Sequence, residues 1–255
     1  MEKEKTPVEI QNRMSGSPEL LIIKGRMDET AHLVRQPVYN ELKKIIRVNE
    51  ASAFPLQLAL DKINNRSIKR AVDILFSALV ITAVLTWLIP LMALLIKLDS
   101  RGPVFFLQKR NKRNGGVFTC IKFRTMIEND DADLLQAMPG DKRITRLGKF
   151  LRNHYLDELP QFFNVWLGDM SIIGPRPHMI SDNSKYEELI EYYDYRHKVK
   201  PGITGLSQVL GYVGETSDIQ RMKDRVLLDL FYVRHWSLLL DVKIFWHTIL
   251  RFFRF

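Results

Sequence analysis

Two adjacent carboxylates, Asp157 and Glu158, stand at the head of LDELPQFFNVWLGDMSIIGPRP, and Gly174-Pro175-Arg176-Pro177 closes that stretch. Paired carboxylates suit acid–base work, metal binding or attack on phosphorus, but side by side they repel. A magnesium ion bridging one of them to a diphosphate would relieve the repulsion and leave the other to act as nucleophile. Flanking prolines hold the Arg176 backbone in a rigid turn, and a guanidinium matches phosphate geometry. Upstream, Lys122 and Arg124 alternate with Ile121, Phe123 and Met126, so they share one face of a strand end and could point at a phosphate. Arg143, Arg146, Lys149 and Arg152 recur every three residues opposite Ile144, Leu147 and Leu151, a cationic stripe just before the carboxylates. Each feature also has an ordinary meaning. Asp157 is placed to be the N-cap of a helix that Gly168 ends, and a basic run is most often a solvated face.

The elements that must position these residues follow from patterning. Val104–Gln108 and Val117–Phe123 read as strands of a small β-hairpin turned by Asn114-Gly115-Gly116. Ile219–Arg234 reads as a helix that is mostly core. Asp241–Phe255 (DVKIFWHTILRFFRF) mixes Ile, Phe and Leu with Lys and Arg, as a helix lying in a membrane interface does, or one packed on a membrane helix. Lys200–Gly205 reads as a turn-rich loop.

Ile74–Ile96 is an uncharged apolar run of about 23 residues, which as a helix would reach ~35 Å, the thickness of a bilayer core. Basic residues flank it on both sides: Lys62, Arg66, Lys69 and Arg70 before, Lys97 and Arg101 after. Cationic flanks prefer the cytoplasmic side, so both ends ask for the same side. A kinked, re-entrant helix satisfies them, with Pro90 as the kink and Trp87 as an interfacial anchor.

Composition sets the remaining bounds. The chain has 255 residues, 46% of them hydrophobic, and a formal net charge of +9, a balance suited to an anionic membrane face, a phosphate-bearing substrate or nucleic acid. No metal-knuckle spacing, RNP-like motif or helix-turn-helix supports nucleic acid, which is therefore not an expected partner. The single cysteine, Cys120, excludes an intramolecular disulfide and fits a reducing compartment. The polar start, MEKEKTPVEIQNRMSG, does not read as a signal peptide. Residues 1–66, with a candidate strand at Glu19–Lys24 and a candidate helix at Val38–Val48, form an extension of unassigned role. A membrane helix over 67–98 and a catalytic domain over 99–255 complete the expected organisation.

The ordered motifs KRAVDILFS, GPVFFLQKR, IKFRTM, ITRLGKFLR, LDELPQFFNVWLGDMSIIGPRP and VKPGITGLSQV resemble the bacterial sugar transferases, the monotopic polyprenyl-phosphate phosphoglycosyl transferases. The tail GYVGETSDIQRM…LDLFYVRHWSLLLDVKIF, with His178 and His197, resembles the exopolysaccharide branch. The resemblance covers about three quarters of the chain. It implies transfer of a sugar 1-phosphate from a UDP-sugar to undecaprenyl phosphate with release of UMP, starting exopolysaccharide, capsule or O-antigen synthesis. In that family the Asp of the dyad forms a covalent phosphosugar intermediate, and Asp157 matches it. Glu158 matches the magnesium-binding partner, Lys122 and Arg152 match cationic substrate contacts, and Pro175, Arg176 and Pro177 match the nucleotide-side turn. Asp169 falls on a recurrent family position with a structural role.

Two positions depart from the family. Its helix break is a Ser-Pro pair near Thr86 and Trp87, where this chain has only the later Pro90. His154 and Tyr155 stand where small hydroxyl residues are usual, and His154 reads as a packing residue. The expectation is a mainly helical α+β enzyme, embedded by its N-terminal helix and by interfacial amphipathic helices in the cytoplasmic face of the bacterial inner membrane. Membrane lipids, a second copy of the chain and downstream glycosyltransferases are its compatible partners. A non-catalytic scaffold with the same fold, binding lipid or partner transferases, is the alternative.

Overall fold

The structure, a computed structural model, describes residues 58–129, 137–138, 140–190, 192–214 and 218–252. The candidate strand at Glu19–Lys24 and helix at Val38–Val48 lie outside the described residues. From Ile63 to Asp99 the chain is one continuous helix of 37 residues, long and apolar enough to cross a membrane by length and composition. It comprises α1 (Ile63–Val80), a π turn (Ile81–Leu85) and α2 (Thr86–Asp99). The π turn lies one turn before Pro90, where a proline removes a helical hydrogen bond and its ring crowds the carbonyl four residues back. Hydroxyls in the apolar run bond back to their own helix, Thr82 to Ala78 O and Thr86 to Thr82 O, and the Trp87 indole donates to Ala83 O.

One face of this helix is buried through Lys69, Asp73, Ser77, Leu85, Leu88, Met92 and Ile96. The other exposes an apolar stripe at helical spacing: Ile68, Val72, Leu75, Leu79, Trp87, Leu91, Leu94 and Leu98. A stripe of that length exceeds what a water-facing surface normally carries.

The hairpin pairs β1 (Phe105–Asn111) antiparallel with β2 (Val117–Phe123), Phe106 opposite Lys122 and Arg110 opposite Phe118. Asn114 and Gly115, at φ 58° and 74°, take the left-handed conformations that close its turn. After α3 (Arg146–Asn153) and α4 (Gln161–Leu167) comes β3 (Ser171–Ile173), which pairs parallel with β4 (Gly202–Thr204). The expected Lys200–Gly205 loop is thus partly a strand. Glycines permit this close pairing: a Cβ on Gly202 would lie 2.1 Å from the Gly174 nitrogen, so Gly202 and the GPRP turn pack backbone to backbone.

The remaining helices are α5 (Ile180–Leu189), α6 (Leu206–Val209), α7 (Ile219–His235) and α8 (Leu238–Phe252). Helix α7 is largely core, through Met222, Val226, Leu228, Phe231, Tyr232 and Val233. Helix α8 combines the two expectations for the tail. Ile244 is buried and Phe245 meets Phe76 of α1 edge-on at 5.1 Å, while Leu238, Leu239, Val242 and Trp246 face outward.

Buried polar ties register α1 against this body. The Asp73 carboxylate accepts from Ser171 Oγ and Ile172 N, both at 3.0 Å. Lys69 pairs with Asp241 at 2.6 Å, and Asp241 also accepts from Tyr232 and Trp236. Asn164 of α4 bonds Ile121 N and Thr119 O, which covers the free edge of β2.

Candidate active site

Thr145 caps α3 by accepting from Gly148 N at 2.9 Å. Gly148 allows the helix to lie on the chain that leaves β2, since a Cβ there would sit 2.0 Å from Thr125 O. At its other end, Tyr155 in the left-handed region (φ 54°) turns the backbone into a tight 3-10 turn, Leu156–Glu158. Asp157 therefore is not the N-cap of the following helix, as the sequence suggests. Helix α4 starts a turn later, behind Pro160, and Gly168 ends it at φ 93°. The tight winding continues through Pro160, with Leu159 N bonded to Leu156 O and Phe163 N to Pro160 O, so the Asp157 carboxylate is not engaged in capping.

Asp157 and Glu158 line a cavity of about 590 Å³, within the usual range for a ligand site. Both are buried, and their environments differ. Glu158 accepts from Lys122 Nζ at 2.7 Å and from Arg176 Nη1 at 3.0 Å, with Arg176 Nη2 as a third donor. Burial opposes its charge, but Arg176 and Lys122 outweigh burial and hold the carboxyl well below its ordinary range. The Asp157 carboxylate has no hydrogen-bond partner among the described residues. Burial and the neighbouring Glu158 charge raise its pKa, against Lys122, Arg152 and Arg176. The dyad is therefore one anion fixed by two cations beside one carboxyl whose oxygens are uncommitted.

The donor set fits magnesium. Carboxylate oxygens are the hard ligands this ion takes, and it needs only one or two of them when substrate phosphates complete its shell. Of the roughly four lone-pair sites on a carboxylate, three on Glu158 are taken by the cations, which leaves one on Oε2. Both oxygens of Asp157 are uncommitted.

Lys122 thus stands at the dyad, as does Arg176. Arg152 lines the same cavity, its Nε donating to Thr125 Oγ1 at 2.7 Å. Arg124 is used otherwise. Strand β2 ends at Phe123, so alternation no longer dictates its direction. Its guanidinium donates to the carbonyls of Ser100 (2.7 Å), Ile96 (3.4 Å) and Arg101 at the end of α2. It clasps the helix to the hairpin while also lining the cavity, so its hydrogen bonds give it a structural role beside the expected phosphate contact. Pro175 and Pro177 act through their carbonyls, which accept from Gly202 N and Arg110. Arg143 pairs with Asp141, whose carboxyl that guanidinium lowers to about 2. His154 bonds Phe150 O and packs on that ring, away from proton-transfer chemistry. Asp169 pairs with Lys112 at 2.8 Å.

Behind the GPRP turn lies a buried network with no sequence spacing to announce it. Arg196 and Asp229, each about 1% exposed, pair at 2.7 Å, and Asp229 also accepts from Ser207. Arg196 donates to the Arg176 carbonyl at 2.7 Å, so this pair holds the backbone that carries Arg176.

Residues 64–255 match the sequence model of the bacterial sugar transferases. The chain belongs to that family. It is 47% identical over 191 residues to the UDP-glucose:undecaprenyl-phosphate glucose-1-phosphate transferase of Klebsiella pneumoniae, covering 74% of this chain and 41% of the relative. The enzyme of the same name from Caulobacter vibrioides is 43% identical over 182 residues, 71% of this chain and 68% of the relative. The exopolysaccharide production protein PSS of Rhizobium leguminosarum is 43% identical over 187 residues, 71% of this chain and 93% of the relative. The chain spans about 40% of the length of the Klebsiella relative. The dyad, Lys122, Arg152 and the GPRP turn all fall inside the matched region of the family.

Proposed function

We propose that this chain transfers a hexose 1-phosphate from a UDP-sugar to undecaprenyl phosphate, releases UMP and so begins assembly of a surface polysaccharide. The observation that carries the reading is the contrast within the dyad: a buried, unbonded Asp157 beside a Glu158 fixed by Lys122 and Arg176. An Asp157 oxygen attacks the sugar-bearing phosphorus, the phosphorus–oxygen bond to UMP breaks, and UMP leaves with the electron pair. An oxygen of undecaprenyl phosphate then attacks the same phosphorus and returns the Asp157 carboxylate, leaving a lipid-linked sugar diphosphate. The acceptor is anionic at neutral pH and needs no general base. Glu158, through its remaining Oε2 lone pair, would hold magnesium together with the substrate phosphates, which would offset negative charge on the diphosphate and the leaving phosphate and leave Asp157 free to attack. Lys122 and Arg176 keep Glu158 ionised and in place, and Arg152 adds positive charge at the cavity wall.

The family and its relatives support this chemistry, as does a mainly helical body with an exposed apolar helix face. A re-entrant seat in the inner membrane from the cytoplasmic side is supported by where the long helix is tied. Its near end is held by Asp241 and Ser171, its far end by Arg124, and all belong to the same body. The test is a panel of UDP-sugars with undecaprenyl phosphate and Mg²⁺, read as UMP formed and lipid-linked product. Wild type should release UMP, and labelled sugar phosphate should be trapped on the protein. Asp157→Asn should do neither, and transfer by that variant at wild-type rate would refute the covalent route.

A further inference from the structure

The cavity has two ends. One, near the α2–β1 junction, is apolar, with Pro103, Phe105, Phe106, Met126 and Ile127. The other is walled by Arg110, His178, Gln208 and Arg225, with the Asp182 carboxylate also in the lining. Lys122, bonded to Glu158, stands opposite Phe106 in the hairpin, and Arg110 lies four residues further along β1. At ~3.3 Å per residue the backbones of the two ends are ~13 Å apart, about the span of a nucleotide.

His178 is the informative member of the polar end. It is 95% buried, at 5% exposure. Its Nδ1 lies 2.6 Å from Arg196 Nη1, and a guanidinium can only donate, so Nδ1 is an acceptor and carries no proton. The Tyr193 hydroxyl near that nitrogen is turned to Asn183 Oδ1 at 2.6 Å. Burial and the surrounding arginines, Arg196, Arg225, Arg110 and Arg176, drive the His178 pKa well below its ordinary value, so the ring is neutral. Its one proton therefore sits on Nε2, which has no partner among the described residues. A buried N–H without an acceptor costs free energy unless a ligand satisfies it.

The neighbours ask for the same ligand. Arg110 Nε, Arg225 Nε and Gln208 Oε1 are likewise buried without partners. Neither Arg110 nor Arg225 forms a salt bridge among the described residues, and burial lowers both pKa values, that of Arg225 to about 10. Asp229 acts on Arg225, and Asp182 and Glu158 act on Arg110, only at longer range, and buried cations without a direct ion pair favour an anion. Three donors and one acceptor, with positive charge, describe a phosphate ester carrying a polar organic group.

We propose that His178 Nε2–H, flanked by Arg110 and Arg225, binds the UMP moiety of the donor at its phosphate, as a neutral hydrogen-bond donor and not as an acid. This rests on the UDP-sugar reading above and adds which wall takes the nucleotide. The apolar end is left for the lipid phosphate.

The test uses the full chain in lipid nanodiscs and titrates UMP, uridine and a short-chain prenyl phosphate by calorimetry. One charge-assisted bond should be worth about ten- to a hundred-fold in UMP affinity. His178→Ala should lose that much, with uridine and prenyl phosphate binding unchanged. His178→Gln, which keeps an N–H near the Nε2 position, should recover most of it, which a merely structural role would not predict. Arg225→Gln should also weaken UMP. The His178 ring does not titrate from pH 6 to 8, so any change in UMP affinity there should follow the second ionisation of the UMP phosphate, at about pH 6, and should run in parallel in wild type and His178→Gln. Wild-type UMP affinity in His178→Ala, or a loss confined to prenyl phosphate, overturns this inference alone. A wild-type chain that neither binds UMP nor releases it from any UDP-sugar overturns the underlying reading as well.

Discussion

Adjacent carboxylates with opposite environments should respond oppositely to the same kind of neutralisation. In Glu158→Gln the side chain keeps its shape but loses its charge, and its amide nitrogen must face a donor from Lys122 or Arg176. At least one of three charge-assisted bonds is replaced by a donor–donor contact, and two cations lose their counter-ion. Breaking a buried pair this way costs about 3–5 kcal/mol. The Arg176 side chain is 30% exposed and can relax toward the cavity, so the lower end applies, about 3 kcal/mol. For a domain of this size that is a fall of about 6–12 °C in Tm. Asp157→Asn should do the reverse. Its ionised carboxylate is disfavoured by burial and by Glu158, so removing the charge should hold or raise Tm while abolishing transfer.

The assay is tryptophan-monitored melting of both variants in nanodiscs, across pH. Because the folded pKa of Glu158 is depressed, its contribution is complete above its ordinary value of 4.5 and is lost as pH falls toward the folded pKa. The gap between wild type and Glu158→Gln should therefore be constant from pH 6 to 8 and narrow below pH 4.5. Equal destabilisation by both variants, or a neutral Glu158→Gln, would refute the division between a fixed and a reactive carboxylate.

Three further outcomes follow from particular contacts. Arg124→Met should cost about 2–4 kcal/mol by releasing three carbonyls at the end of α2, yet leave UMP affinity within about twofold, which separates a clasp from a substrate contact by melting and calorimetry. Gly148→Ala forces a Cβ against Thr125 O, so α3 must shift and carry Arg152 with it. Stability should fall by about 1–3 kcal/mol and kcat should fall too, measured by melting and UMP release. The one native thiol, Cys120, is buried, so Lys62→Cys and Arg101→Cys can report topology in sealed vesicles. Both should label from the same side, and opposite-side labelling would rule out re-entrance.

Much of this site could be read along the chain because its parts are local. Asp157, Glu158 and the GPRP turn lie within one short stretch, the hairpin is set by alternation and Asn-Gly-Gly, and a charge-free apolar run announces a long helix whatever surrounds it. The chemistry of those residues is likewise a property of type and order, and the family match rests on that order.

Tertiary structure decided the rest, for two physical reasons. The first is that hydrogen-bond partners are chosen in three dimensions. Lys122 and Arg124 look equivalent in sequence, but one reaches Glu158 and the other the carbonyls that α2 leaves unpaired at its end. Asp157 looks like a helix cap, but the left-handed Tyr155 and the tight turn after it free the carboxylate for the cavity. The second is that desolvation depends on what packs around a group. Arg196 and Asp229 are ordinary charged residues in sequence, and only burial makes them the support of Arg176. His178 has no catalytic spacing at all. It becomes a single-proton donor only because Arg196 occupies one ring nitrogen inside the core and leaves the other without a partner.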